Sequence, residues 1–364
     1  MKIGILTLPL HTNYGGILQA YALQTVLERM GHDARHIEIK PFLSKSEFGR
    51  FKHKFSPYKK MLKLIAVPDS KSKNIGRYTW LFAYKHIKID EYPSIAEIPE
   101  GKYDAFVVGS DQIWRKYYVD MSDKFNMQNA FLNFTDGWNV KRISYAASFG
   151  TDKWECDELE TEQLQKIAQS FDAISVREAS GVELCRQYLH CDAVHLIDPT
   201  MLLDRNDYER LIKGKKERLQ GIMTYILDEN QQKTNVIEQL KSTLGKPTFS
   251  SNIPDNKRDY RTCGVIQPPV EDWLRGFRDA DFVITDSFHA CVFSIIFNKP
   301  FVVIINKERG ASRIMSLLNM FKQTHRIVDE DSLLSITGEL LSNPDCDIEV
   351  YRTKAFDFLN TYLS

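Results

Sequence analysis

Short apolar runs alternate with helix-length segments along most of the chain, which is the pattern of β-α-β units in parallel sheets. Helices are predicted at about residues 17–29, 180–189, 234–244 and 347–362, and Gly31 is expected to end the first of them. The apolar runs predict buried strands at residues 2–8, 34–39, 103–108, 141–147, 173–176, 194–197, 221–227, 282–284 and 301–305.

This order predicts two α/β domains that face each other across a cleft. The first covers residues 1–200 and includes a basic insertion at about residues 40–90. The second covers residues 201–345, and residues 346–364 form a terminal helix. A glycine-rich loop follows the first strand, but the GxGxxG fingerprint is missing, so dinucleotide binding is only weakly indicated.

Polar residues follow several of the predicted strands at the point where each strand ends. In open α/β sheets, ligands bind in the crevice beyond the carboxyl ends of the strands. We therefore expect these residues to line the cleft. The clusters are Gly-Ser-Asp-Gln at 109–112, Ser-Phe-Gly at 148–150, Arg-Glu at 177–178 and Thr-Asp-Ser-Phe-His at 285–289.

The last of these clusters supplies the strongest candidate, His289, at the start of a predicted helix. An imidazole titrates near neutrality and can transfer a proton, and a helix start attracts anions. The alternative is a histidine with only a structural hydrogen bond. Ser287 and Asp286 are candidates for ligand contact, and Asp286 either assists His289 or caps the helix.

Two further candidates lie in the first domain. Asp111 would supply a carboxylate at the edge of the cleft, although a turn with a helix cap explains the same residues. The loop formed by Asn13, Tyr14 and Gly15 would present backbone N–H groups to a ligand, and its alternative is a tight turn before a helix.

Three arginines are candidates for binding an anion. Arg309 and Arg313 fall on one face if that segment is helical, since they are four residues apart. Arg177 directly follows a strand. Guanidinium groups bind carboxylate or phosphate through paired hydrogen bonds, although a solvated surface position is the ordinary alternative for any arginine.

Composition narrows the possible partners. The 364 residues are 43% hydrophobic and 26% charged with a formal net charge of zero, so nucleic-acid binding is not expected. The six cysteines have no metal-like spacing, and no metal or cofactor is expected. No apolar run reaches the roughly 18 residues of a membrane span, so we expect a cytoplasmic protein, with contact at the inner membrane face left open.

Residues 40–73 hold ten lysines or arginines against two acidic residues, a local charge of +8. A solvated insertion and a surface for an anionic partner, such as a lipid headgroup, both explain this segment.

Taken together, the motifs resemble those of the polysaccharide pyruvyl transferase family, and they occur in the family's order over nearly the whole chain. Each motif is weak alone, and the ordered set is specific. The motifs are NYGGILQAYAL (13–23), GSDQIW (109–114), SYAASFG (144–150), SVRE (175–178), DPT (198–200), TDSFH (285–289) and RGASR (309–313).

The resemblance implies two Rossmann-like domains of the glycosyltransferase-B type, with the first on the acceptor side, the second on the donor side and the terminal helix packing back onto the first. It also implies transfer of pyruvate from phosphoenolpyruvate to a sugar of a capsule, exopolysaccharide or lipid-linked precursor, forming a cyclic ketal. His289 would then be the general acid/base and Asp111 would orient or deprotonate the acceptor hydroxyl. Arg177, Arg309 and Arg313 would hold the donor.

Two other functions fit the same scaffold. One is a glycosyltransferase that uses a sugar nucleotide, and the other is a non-catalytic protein that binds a glycan precursor. The acceptor sugar, its linkage, the ketal stereochemistry and the oligomeric state do not follow from the sequence.

Overall fold

The computed structural model describes residues 1–39, 76–122, 124–214, 220–251, 266–305, 311–328 and 337–364. The basic segment at residues 40–73 and the candidate Arg309 lie outside these ranges. The described residues form two parallel sheets with helices packed on them. The predicted fold class, a pair of Rossmann-like α/β domains of the glycosyltransferase-B type, is therefore confirmed.

The first domain is built on a sheet with the order β3-β2-β1-β4-β5-β6-β7, and every strand pair is parallel. The central strands are buried on both faces, which explains their continuous apolar sequences. The strand order reverses between β1 and β4, and this switch point opens a crevice at their carboxyl ends. The strands are β1 (Lys2–Leu6), β2 (Asp33–Ile39), β3 (Ile89–Tyr92), β4 (Ala105–Val108), β5 (Lys141–Ala147), β6 (Ala173–Val176) and β7 (Val194–His195).

The helices of this domain cover the sheet on both faces. The first of them is buried almost all round, because the sheet lies on one side and a short 3₁₀ turn at Pro199–Leu202 on the other. The second helix and strand β3 together span residues 77–92. This part of the predicted insertion therefore belongs to the first domain. The helices are α1 (Tyr14–Arg29), α2 (Arg77–His86), α3 (Lys116–Asp120), α4 (Met127–Ala130), α5 (Glu158–Ala168) and α6 (Ala179–Leu184).

The second domain has a parallel sheet with the order β12-β11-β10-β8-β9, and its switch point lies between β8 and β10. Its strands are β8 (Ile222–Tyr225), β9 (Thr248–Ser250), β10 (Phe282–Thr285), β11 (Phe301–Ile304) and β12 (Ile327–Val328). Its helices are α7 (Arg205–Leu211), α8 (Gln231–Leu244), α9 (Val270–Asp279), α10 (Phe288–Ile296), α11 (Ala311–Met320) and α12 (Gly338–Leu341), and α13 (Glu349–Leu363) ends the chain.

Helix α13 contacts the first domain and the segment that directly follows it. Arg352 donates from Nε to the Met201 carbonyl and from Nη2 to the Leu203 carbonyl, each at 2.7 Å. Lys141, at the start of β5, donates to the Tyr362 carbonyl at 3.0 Å. Among the described helices, none combines the length and apolarity needed to cross a membrane.

The two domains meet at the start of α1 and at the start of α6. The Tyr14 hydroxyl donates to the Pro268 carbonyl at 2.6 Å, and the Tyr14 ring stacks on Trp273 with centroids 5.4 Å apart. On the other side of the cleft, the Ser316 hydroxyl accepts from the Ala179 N–H at 2.9 Å. These contacts hold the two halves of the cleft face to face.

A fully buried histidine in β2 makes stability depend on pH. Neither ring nitrogen of His36 has a hydrogen-bond partner among the described residues, and burial lowers the pKa of His36 to about 4. The unfolded chain takes up a proton more readily, so the stabilisation is complete above about pH 6.5 and is lost as pH falls towards 4.

Between pH 7 and pH 5, His36 should lower the free energy of unfolding of wild type by about 2 kcal/mol. We predict that this decrease is absent from the variant His36→Leu. Urea unfolding of wild type and H36L at both pH values measures this difference. The neighbouring buried variant Ile37→Val is the control, since it should lower stability equally at both pH values. An unchanged pH slope in H36L would contradict the prediction.

Candidate active site

The first-domain wall of the cleft is built from the loops that follow β1 and β4. The Gln19 amide ties these loops together, because it donates to the Thr7 hydroxyl at 3.3 Å and accepts from the Ser110 N–H at 2.9 Å. Asp111 follows at once, with only 5% of its surface exposed. Its Oδ2 lies 3.5 Å from the Asn13 side-chain nitrogen, which brings two predicted site residues together at the switch point.

Asp198 lies at the centre of the site. Its Oδ2 accepts from Arg177 Nη1 at 2.8 Å and from the Ser110 hydroxyl at 3.1 Å. Its Oδ1 accepts from both the backbone and the hydroxyl of Thr200. Burial alone would raise the pKa of Asp198, but His289 and Arg177 outweigh that effect and hold the pKa well below its usual range. Asp198 is therefore an ionised carboxylate that lies between the Arg177 guanidinium and the His289 imidazole.

His289 reaches this carboxylate from the second domain. Its Nε2 lies 3.6 Å from Asp198 Oδ2, too far for a direct hydrogen bond, and has no hydrogen-bond partner among the described residues. The other face of the ring lies against Gly15, where a Cβ would come within 2.0 Å of Nδ1. The first turn of α1 therefore fixes the position of the imidazole.

Two arginines, one from each domain, lie against the same aromatic ring. The guanidinium carbons of Arg177 and Arg313 lie 4.6 Å and 5.8 Å from the ring centroid of Phe288. Burial, and then repulsion from Arg177, lowers the pKa of Arg313 to about 10, so Arg313 remains charged at neutral pH. Arg177 Nε and Nη2 and Arg313 Nε are buried without hydrogen-bond acceptors in the part of the chain that the structure describes. This arrangement suits an anion that bridges the two side chains.

Glu178, the residue after Arg177, binds the loop that follows β5. Its Oε1 accepts from the N–H groups of Phe149 and Gly150 and from the Ser148 hydroxyl, at 2.7, 3.0 and 3.1 Å. These contacts tie the ends of β5 and β6 together, and therefore fix the backbone on which Arg177 stands.

Three predicted residues take no part in the contacts described above. Asp286 accepts from the N–H groups of Leu227 and Asp228 and from Lys233 Nζ at 2.8 Å, so its carboxylate lies at the switch point of the second sheet. Ser287 is the residue before α10 but makes no side-chain cap. The contacts of Tyr14 are those that join the domains, with its ring against Trp273.

The structure thus brings together Asn13, Gly15, Asp111, Arg177, His289 and Arg313. The sequence reasoning missed Asp198, Glu178 and Phe288 as site residues, although all three stand within the quoted motifs. Over the described ranges, no group of three or more His, Cys, Asp or Glu side chains is placed to hold a metal ion. The two arginines can bind a small dianion, and the imidazole can move a proton.

The close contact at Gly15 gives a direct test of how the imidazole is held. We predict that Gly15→Ala lowers kcat by about 10²-fold, because the new methyl group would displace the His289 ring and an error of about 1 Å is that costly. Steady-state kinetics measure the loss. Gly338→Ala, whose Cβ would meet nothing within 4 Å, is the matched control. Full activity in G15A would show that the ring position is not critical.

Comparison with known proteins identifies a family. A family model described as polysaccharide pyruvyl transferase matches residues 13–308, which is most of the chain. No curated protein has a significant sequence match to the chain.

Solved structures of low sequence identity resemble the chain along nearly its whole length. UDP-GlcNAc 2-epimerase from Methanocaldococcus jannaschii is 11% identical, with 99% of this chain and 100% of that one covered and a TM-score of 0.47. HepE from Anabaena, solved with UDP and glucose, is 10% identical, with the same coverage and TM-score. MurG from Acinetobacter baumannii is 10% identical, with 99% and 91% covered and a TM-score of 0.42. Because these TM-scores are below 0.5, the fold assignment rests on the strand order of the two sheets and not on these similarities.

Proposed function

Since the chain belongs to the polysaccharide pyruvyl transferase family, we propose that it moves pyruvate from phosphoenolpyruvate onto a sugar of a cell-surface polysaccharide or its lipid-linked precursor. The product is a cyclic pyruvate ketal bridging two hydroxyls of that sugar. Family membership makes the protein a transferase acting in polysaccharide biosynthesis. The donor, the ketal and a cytoplasmic site of reaction are the proposed parts.

The donor assignment rests on the two guanidinium groups that lie against Phe288, which have N–H groups without acceptors among the described residues. Phosphoenolpyruvate has a phosphate and a carboxylate, which are the two groups that arginine binds best. Arg177 already neutralises Asp198 through Nη1, so its Nε and Nη2 remain to bind the donor. Arg313 contributes from the opposite domain. Donor binding would thus relieve the repulsion between the two arginines.

The same pocket holds a group that can protonate the donor. Attack on the enol carbon requires a proton on the methylene carbon, and His289 supplies an imidazole beside Phe288, the ring that both arginines contact. The Asp198 carboxylate, 3.6 Å from Nε2, stabilises an imidazolium there. After the transfer, the neutral ring can accept a hydroxyl proton from the acceptor.

The balance of the reaction needs no redox partner. The methylene carbon of phosphoenolpyruvate gains one proton, and its neighbouring carbon forms bonds to two sugar oxygens. The bond from that carbon to the phosphate oxygen breaks, and phosphate leaves with the electron pair and the second hydroxyl proton. Asp111, at the mouth of the switch-point crevice, orients or deprotonates the attacking hydroxyl.

Two parallel measurements test the proposal. Phosphate release is followed with phosphoenolpyruvate and the surface glycan of the source organism after its ketals have been removed by mild acid. Thermal unfolding is followed with phosphoenolpyruvate and, separately, with nucleotide sugars. We expect glycan-dependent phosphate release, a glycan mass gain of one pyruvate ketal per repeat, and stabilisation by phosphoenolpyruvate. Stabilisation by a nucleotide sugar, with no response to phosphoenolpyruvate, would replace the proposal with a glycosyltransferase.

A further inference from the structure

Helix α3 begins a few residues after Asp111 and is fixed in place against the first domain. Val119 is fully buried, and Lys116 Nζ lies 2.5 Å from Glu160 Oε1 of α5. The Tyr117 N–H donates to Glu155 Oε2 at 3.4 Å. The side chains on the outer face of α3 are therefore held at a set distance from the cleft.

That outer face is apolar and exposed. Tyr117 exposes 54% of its surface and Met121 exposes 70%, and their i, i+4 spacing puts them on one face. The Tyr118 ring lies beside Tyr117, with centroids 5.3 Å apart and planes at 69°. An exposed apolar patch on a fixed helix beside a cleft indicates a binding surface.

Arg115 joins this patch to the active site. Its guanidinium carbon lies 5.2 Å from the ring centroid of Tyr118 and 5.6 Å from that of Tyr117. Its Nη1 donates to the Gln112 side chain at 3.3 Å, and Gln112 is the neighbour of Asp111. Arg115 Nε is buried and lies 3.7 Å from Glu155 Oε1, without a hydrogen bond to any described residue. A continuous row of side chains thus runs from Asp111 to the exposed face of α3.

We propose that Arg115, Tyr117, Tyr118 and Met121 form a second acceptor subsite, which binds a sugar unit next to the one that receives pyruvate. This inference rests on the proposed function. The apolar face of a pyranose ring packs on an aromatic ring, while its hydroxyls accept from a guanidinium N–H. Tyr117 does not contact Asp111, and Gln112 and Arg115 lie between them. The sugar on Tyr117 is therefore a neighbour of the reacting sugar, and the acceptor is an oligosaccharide.

The test compares wild type with Tyr117→Ala and Tyr117→Phe, using as acceptors the single sugar that receives pyruvate and longer ketal-free glycan fragments. For Y117A, KM for the longer fragments should rise about tenfold, with kcat and the thermal shift by phosphoenolpyruvate unchanged. Y117F should keep the wild-type KM, since the ring remains. Tyr78→Ala, another exposed tyrosine of the first domain, is the matched control and should change nothing.

The outcomes separate this inference from the proposed function. Unchanged KM in Y117A, with phosphoenolpyruvate still stabilising the protein, would overturn the subsite and leave the proposed function standing. A wild-type protein that ignores phosphoenolpyruvate would remove both. Gel filtration adds a third outcome, because a change of oligomeric state in Y117A without a change in KM would assign the patch to a second copy of the chain.

Discussion

His289→Gln is expected to lower kcat for phosphate release by about 10²- to 10⁴-fold, the usual contribution of a general acid. Glutamine fills similar space and keeps a hydrogen-bonding side chain, but it cannot take up and release a proton near neutral pH. The pocket around Arg177 and Arg313 should be intact, so stabilisation by phosphoenolpyruvate should persist. Steady-state phosphate release and thermal unfolding with the donor measure the two properties.

His325→Gln is the matched control, because this histidine lies on the other side of the second domain, near Glu339, and should affect neither measurement. Wild-type turnover in H289Q would eliminate His289 as the proton donor. Loss of the thermal shift together with turnover would instead make His289 part of donor binding.

Asp198→Asn is expected to affect both stability and activity. The amide cannot neutralise Arg177, and breaking a buried ion pair from one side costs about 3–5 kcal/mol. Freed from its partner, the Arg177 side chain would also lose its fixed direction, and kcat/KM for phosphoenolpyruvate should fall about 10²-fold. Urea unfolding and steady-state kinetics provide the two measurements.

A double-mutant cycle separates the pair from its surroundings. Combining Asp198→Asn with Arg177→Met should destabilise the protein by less than the sum of the single changes, since the unpaired charge is gone. Asp33→Asn is the control, because its ion pair with Arg35 is exposed and should contribute less than about 1 kcal/mol. Full additivity in the cycle would show that Asp198 and Arg177 do not act as a pair.

The central strands of both sheets could be predicted closely, because their apolar runs are continuous and bounded by polar residues. Strands β5 and β6 have the predicted bounds of residues 141–147 and 173–176. Strand β3 was missed, since it is an edge strand with one buried residue and two acidic ones, and it lacks an apolar run. Helix α2 directly follows the basic segment, and the sequence prediction includes it in the insertion at about residues 40–90.

The site was predicted less completely, because a side chain's partners are set by the tertiary fold. Asp198 precedes Pro199 and Thr200, and the sequence Asp-Pro-Thr is equally typical of an ordinary turn. The sequence alone therefore does not identify Asp198 as the charged centre of the site. Its role follows from Arg177 and His289, which come from two other parts of the chain. In the same way, Tyr14 follows Asn13 in sequence, but its ring points to Trp273 of the second domain.

The contact between Gly15 and His289 has an evolutionary consequence. Glycine at position 15 is required by the imidazole from the other domain, because the space for a side chain is occupied by that ring. A larger residue becomes tolerable at position 15 only after the ring at position 289 is lost or moved. The two positions therefore constrain each other's substitutions, and a chain with a smaller side chain at position 289 no longer needs glycine at position 15.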